Sequence, residues 1–174
     1  MTWSKQSARD QAKAVLAEFG VESAPVPVER IIKRRNIKVQ FSPLDKELSG
    51  MALIKDGISI IGVNALHHPN RQRFTMAHEL GHHVMHHEAI NGTVHVDKGF
   101  AMILMRDDLA AQGTDRMEIE ANAFASELLM PASILEKLLD VGSVDLDETS
   151  TLEAIAKRFK VSLSALQYRL MAFK

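Results

Sequence analysis

Arg73-Phe74-Thr75-Met76-Ala77-His78-Glu79-Leu80-Gly81-His82-His83-Val84-Met85-His86 is the stretch on which the reading of this chain turns. Residues four apart on an α-helix lie one above the other, so His78 and His82 offer two imidazoles to one point in space, with Glu79 beside them. Two such histidines can grip a metal ion while the neighbouring carboxylate faces the ion's open position. The pattern predicts a water-activating hydrolase. Its helix is expected over 70–87, with Phe74, Ala77, Leu80, Gly81, Val84 and Met85 as apolar positions and Pro69 at its start. Ala77 and Gly81 are small enough to let a neighbouring backbone come close behind the site.

The chain has no cysteine, so any metal must be held by imidazole and carboxylate, and no disulfide can form. A catalytic zinc usually keeps three protein ligands and one open position. The third ligand is sought among Glu118, Glu120, His95 and Asp97. Helical periodicity favours Glu118, which shares a stripe with Ala121, Asn122, Ala125 and Leu129. Glu120 is the second choice, because it shares its side with Ala123, Phe124 and Glu127, and Glu127 is expected to be wet. Asn122, one turn beyond Glu118, is a candidate to accept the Nδ1 proton of a ligating histidine. Glu79 is the expected general base. For an oxyanion or substrate contact, His86, His95, Arg71, Arg73 and Tyr168 remain open. Adjacent histidines point apart on a helix, so His67, His68, His83, His86 and His87 cannot all face one ion, and some of them are expected to be surface or hydrogen-bonded core residues.

Working outward, helical spacing of Ala8, Ala12, Val15, Leu16 and Phe19 predicts a helix over 5–19, and Val28, Ile31 and Ile32 a short second one. Three strands are expected, over 37–41, 51–55 and 59–63, the last two joined by an Asp56-Gly57 hairpin turn. They are read as a small antiparallel sheet. Between 88 and 113 the pattern is weak: 94–97 alternates too briefly to decide, and 100–105 suits a strand or a buried segment. This insertion is the expected wall of a substrate cleft. Helices are then expected from about 114 to 130, from Pro131 onward, over 152–159 and over 163–171, with Ser162 capping the last. The last pair has helix-turn-helix form, but its second helix offers few polar residues to read bases. Packing against the core is its favoured task.

The 174 residues suit one domain: 1–36 as N-terminal helices, 37–131 as sheet and catalytic core, 132–174 as a C-terminal helical part. A net charge of -1 gives no overall nucleic-acid footprint, and direct DNA binding ranks last among the readings. No export or membrane signal is seen, so no membrane association is expected and cytoplasm is the default.

Three segments carry a family resemblance: Arg71-Gln72-Arg73-Phe74-Thr75-Met76-Ala77-His78-Glu79-Leu80-Gly81-His82; Glu118-Ile119-Glu120-Ala121-Asn122-Ala123-Phe124-Ala125-Ser126-Glu127-Leu128-Leu129-Met130-Pro131; and Ala156-Lys157-Arg158-Phe159-Lys160-Val161-Ser162 through Arg169-Leu170. Together they resemble the ImmA/IrrE family of zinc-dependent metallo-endopeptidases. The resemblance implies an α+β fold with a minimal, thermolysin-like zincin core. That core would comprise a small sheet, an HExxH active-site helix, a second ligand helix and helix-turn-helix-like C-terminal helices. It implies one catalytic Zn2+ held by His78, His82 and Glu118, with Glu79 as base. It further implies cleavage of a helix-turn-helix repressor or antitoxin-like partner encoded nearby, in stress-response or toxin-antitoxin settings. The alternative expectation is a non-proteolytic toxin or anti-repressor with a structural zinc.

Overall fold

The computed structural model describes residues 4–97, 113–140 and 149–172. Along these the elements run α1 (Lys5–Glu18), α2 (Val28–Arg34), β1 (Lys38–Ser42), β2 (Gly50–Lys55), β3 (Ile58–Asn64), α3 (Pro69–Met85), β4 (His95–Asp97), α4 (Gly113–Leu129), α5 (Ala132–Asp140), α6 (Thr149–Phe159) and α7 (Leu163–Met171). The fold is mixed α+β. The expected segment 100–105 lies outside the described residues.

Local chemistry accounts for several boundaries. Ser4 caps α1 through a reciprocal bond pair with Ser7. Ser162 caps α7 by accepting from Ala165 N at 3.1 Å. Asp56 and Gly57 both have positive φ, 51° and 75°, which is what a two-residue hairpin between the paired Lys55 and Ile58 requires.

The sheet has the order β1-β3-β2-β4. It is mixed rather than antiparallel, because β1 runs parallel to β3 while β2 is antiparallel to both β3 and β4. The reason lies in the connection after β1. The fully buried Asn64 side chain donates to Leu44 O, Asp45 O and Leu48 O at 3.3, 3.1 and 2.8 Å, and accepts from Leu44 N at 3.3 Å. Held this way at the end of β3, residues 43–49 carry the chain past one strand position. The hairpin then returns β3 into that gap, beside β1 and in the same direction.

One helix is central. From Thr75 to His83 every residue of α3 is buried, as befits a helix enclosed on all sides. It packs on β2 and β3 on one side and on α4 on the other, and α1 covers α4 in turn. The main core joins Met76 and Leu80 of α3 to Phe124, Leu128 and Leu129 of α4, Ala12 and Val15 of α1, Ile61 of β3, and Phe159 and Leu166 of the last two helices. Gly81 permits the close approach of α3 and α4: a Cβ there would lie 3.1 Å from Phe124 Cδ1 and 3.4 Å from Ala121 Cα. Among the described residues no helix is long and apolar enough to cross a membrane.

Candidate metal centre

The site lies where α3, α4 and β4 meet. The helical spacing of α3 stacks His78 over His82, with Nε2 atoms 3.1 Å apart. Glu118 reaches across from α4 and brings Oε2 to 3.2 Å from His78 Nε2 and Oε1 to 3.3 Å from His82 Nε2. The edge strand β4 adds His95 and Asp97. In a strand, alternate residues share a face, and their partners across the ladder are Ala52 and Gly50. His95 Nε2 donates to Glu118 Oε1 at 2.5 Å, and the buried Asp97 offers a carboxylate oxygen within 4.8 Å of atoms of both His78 and Glu79.

Three observations test whether these residues fit a divalent ion. The ligand atoms of His78, His82 and Glu118 all lie within 4.8 Å of one another. Their closest separations, 3.1 to 3.3 Å, are close to the edge of about 3.4 Å for a tetrahedron with arms of about 2.1 Å. Glu118 Oε2 is buried and makes no aligned hydrogen bond, despite its nearness to His78. The donor set of two imidazoles and a carboxylate is one zinc commonly takes. It fits.

The electrostatics follow from the crowding. Burial alone pushes the His78 imidazole down, but the adjoining Glu118 carboxylate, aided by Asp97 and Glu79, outweighs it and raises His78 to about 10. Burial dominates at His82, which drops to about 3, with the positive His78 also pressing it down. Against the upward push of burial, the imidazoles of His78, His82 and His95 hold the Glu118 carboxyl far below the usual carboxylate range. In the metal-free protein one proton therefore sits on the cluster, mainly at His78. Glu79 is the opposite case: it is fully buried, neither carboxylate oxygen has a hydrogen-bond partner, and burial drives its carboxyl well above the ordinary range. Gly50 makes room for it, since a Cβ there would lie 3.3 Å from Glu79 Oε1.

Around the cluster, His78 Nδ1 donates to Asn122 Oδ1 at 3.0 Å. His82 Nδ1 faces His86 Nδ1 at 3.0 Å, and His86 Nε2 donates to Glu120 Oε2 at 2.9 Å. Burial pushes the His86 imidazole below its ordinary value, against the pull of Glu120. Glu120 is thus turned toward His86, behind His82, rather than toward the three-ligand cluster. The expectation that its helix side is wet does not hold: Glu120 and Glu127 are 3% and 2% exposed, each satisfied by a partner that helix periodicity could not foresee.

The candidate oxyanion or substrate contacts separate. His95 stands in the cluster. His86 lies on its far side. Arg71 donates to Ser49 Oγ at 3.0 Å and Arg73 to Val26 O at 2.9 Å, while Tyr168 is 44% exposed on α7; these three are not brought to the ligand cluster. His83 donates from Nε2 to Ile60 O at 3.1 Å, and His67 to Lys46 O at 3.2 Å, so both are engaged by backbone. Gly50 escaped the sequence reading, having no local signal beyond opening a strand. His86 was named as a possible oxyanion or substrate contact, but its four-residue spacing from His82 signals the contact that it makes instead.

Comparison with known proteins gives a consistent result. Residues 32–171 match the model of a peptidase family described as the IrrE N-terminal-like domain. Over 122 residues, 64% of this chain, the sequence is 30% identical to the radiation response metalloprotease IrrE of Deinococcus radiodurans, and the match spans 30% of that protein. A solved Mycobacterium tuberculosis transcriptional regulator shares the fold, with a TM-score of 0.61 over 95% of this chain and 46% of that one, at 18% identity. With most of its length inside the family model, and with its paired histidines and distant glutamate converging as described, the chain belongs to the ImmA/IrrE family.

Proposed function

We propose that the chain is a zinc-dependent endopeptidase in which His78, His82 and Glu118 hold the metal and Glu79 is the general base. The observation that carries this reading is the pairing of a three-ligand cluster with a fully buried carboxyl whose two oxygens have no hydrogen-bond partner. A purely structural metal site has no use for such a group. When bound, the ion would supply Lewis acidity, polarising a peptide carbonyl and easing the ionisation of water. The chain's own residues do the rest. Glu79, in its ionised form, takes a proton from the attacking water and returns it to the leaving amine nitrogen. Asn122 holds the His78 ring through Nδ1 and keeps its Nε2 turned inward. His95, already within the cluster, is placed to donate to a developing oxyanion.

The core is read as a reduced, thermolysin-like zincin, and α6 with α7 as a pair of helix-turn-helix type that packs against it. The substrate proposed is a helix-turn-helix repressor or antitoxin-like protein encoded nearby, a reading that rests on family membership. A non-proteolytic anti-repressor or toxin with a structural zinc is the competing account. Glu79→Gln separates them. If that variant keeps its zinc and loses cleavage of the neighbouring regulator, the enzyme reading holds. If it keeps the full biological effect, binding alone is the function.

A further inference from the structure

We infer that His86 and Glu120 are positioning residues that fix the proton arrangement and ring plane of His82, so that its Nε2 lone pair always faces the metal site. The inference rests on the metal reading proposed above and goes beyond it, to how one ligand is held.

The argument is a count of hydrogens. His82 turns Nε2 toward His78 and Glu118, and Nδ1 the other way, 3.0 Å from His86 Nδ1. Two ring nitrogens at that distance need one hydrogen between them, and the partners on either side decide which ring supplies it. Both oxygens of Glu120 are occupied as acceptors: Oε2 takes His86 Nε2–H at 2.9 Å, and Oε1 takes Arg116 Nε–H at 3.2 Å. A carboxylate that accepts on both sides places a His86 hydrogen on Nε2. A His82 ring that ligates through Nε2 carries its own hydrogen on Nδ1, so the one hydrogen between the two rings belongs to His82 and His86 Nδ1 accepts it.

The order of donors is therefore continuous, from His82 to His86 to Glu120, with Arg116 closing the far end. The side chains of His86 and Glu120 are each only 5% exposed, so water cannot easily substitute for either, whereas Arg116 reaches the surface at 56%. Glu120 and Asn122 stand two residues apart on α4 and divide the work. Asn122 meets His78 directly, and Glu120 reaches His82 through His86. Outer partners of this kind commonly set metal affinity through ring orientation and tautomer.

The test needs two readouts besides activity. In the native zinc-loaded protein, long-range 1H–15N spectra should show His82 protonated at Nδ1 and His86 at Nε2; a His82 ring without an Nδ1 proton overturns the inference. By chelator competition, His86→Phe should lose about 10–100-fold in zinc affinity, while His86→Asn, whose carbonyl oxygen stands near the Nδ1 position, should recover to within about threefold of native. A folded His86→Phe that binds zinc as tightly as the native chain also overturns it. Native protein that takes up no zinc would instead remove the proposed function, and this inference with it. Should His86→Phe fail to fold, the native spectra decide.

Discussion

Arg169 on α7 forms an ion pair with Glu127 on α4, and each side chain is 3% exposed. Arg169 Nε also donates to Met130 O at 3.1 Å, and Glu127 Oε1 accepts from Ala132 N at 3.0 Å, at the start of α5. One buried contact thus joins α7 to the helix that carries Glu118 and to the one that follows it.

Removing the cation leaves a carboxylate buried without its partner, a change that costs about 3–5 kcal/mol. Arg169→Met should therefore lower the free energy of urea unfolding by that order. Glu127→Leu combined with Arg169→Met should be much milder, since no unpaired charge remains, with a residual loss of about 1 kcal/mol for the missing helix-start contact to Ala132. Equal losses in the single and double variants would contradict the argument.

The half-buried Asn122 side chain has one assigned task. Its Oδ1 accepts from His78 while Nδ2 is without a hydrogen-bond partner. Asn122→Ala should lower zinc affinity by about 10–100-fold with little effect on secondary structure. Asn122→Asp, which keeps the acceptor, should retain most of it. Chelator competition reads both, and an alanine variant with native affinity would show that the contact does not hold the ring.

How much of this was legible beforehand depended on distance along the chain. The histidine pair and Glu79 are local, so helical geometry alone brought them together. Glu118 was also readable, because the small residues on its stripe mark the side of α4 that faces α3. The parallel pairing of β1 with β3 was not, since it depends on a clamp from Asn64, an asparagine whose partners sit 16 to 20 residues away. Glu120 and Glu127 were judged by charge, and charge misleads wherever a distant His86 or Arg169 supplies the partner. β4 is three residues long, too short for alternation to declare itself.

Gly50 shows how little room Glu79 has. A Cβ there would lie 2.3 Å from Thr75 Cγ2 and 2.7 Å from Gly62 O, besides its closeness to Glu79. Backbone cannot yield as a flexible side chain can, so Gly50→Ala should cost about 1–3 kcal/mol through overpacking. The strain falls on the face of α3 that bears Thr75 and Glu79, not on the ligand nitrogens. Peptidase activity should therefore fall more steeply than zinc affinity. A variant with native thermal stability would show that β2 and α3 can separate freely.

Metal uptake should release protons, with the cluster's own ionisation fixing the sign. In the metal-free protein His78 is held at about 10 and His82 at about 3, while Glu118 is ionised throughout the neutral range because its neighbouring imidazoles hold it low. A ligating nitrogen must give up its proton. At pH 7 to 8 that proton comes from His78, since His82 and Glu118 carry none to lose. Zinc binding should accordingly release at least one proton per ion, and apparent affinity should rise with pH beyond the ordinary histidine range near 6.5, flattening only as about 10 is approached. The same proton bears on stability. A histidine raised in the folded state contributes stability that is fully present below about 6.5 and is lost as pH rises through about 10, so the metal-free protein should lose thermal stability across that window while the loaded protein keeps it. Calorimetry in two buffers of different ionisation enthalpy counts the protons directly. A count of zero at pH 7.5 would mean that His78 is neutral before the metal arrives, and that Glu118 does not hold it charged.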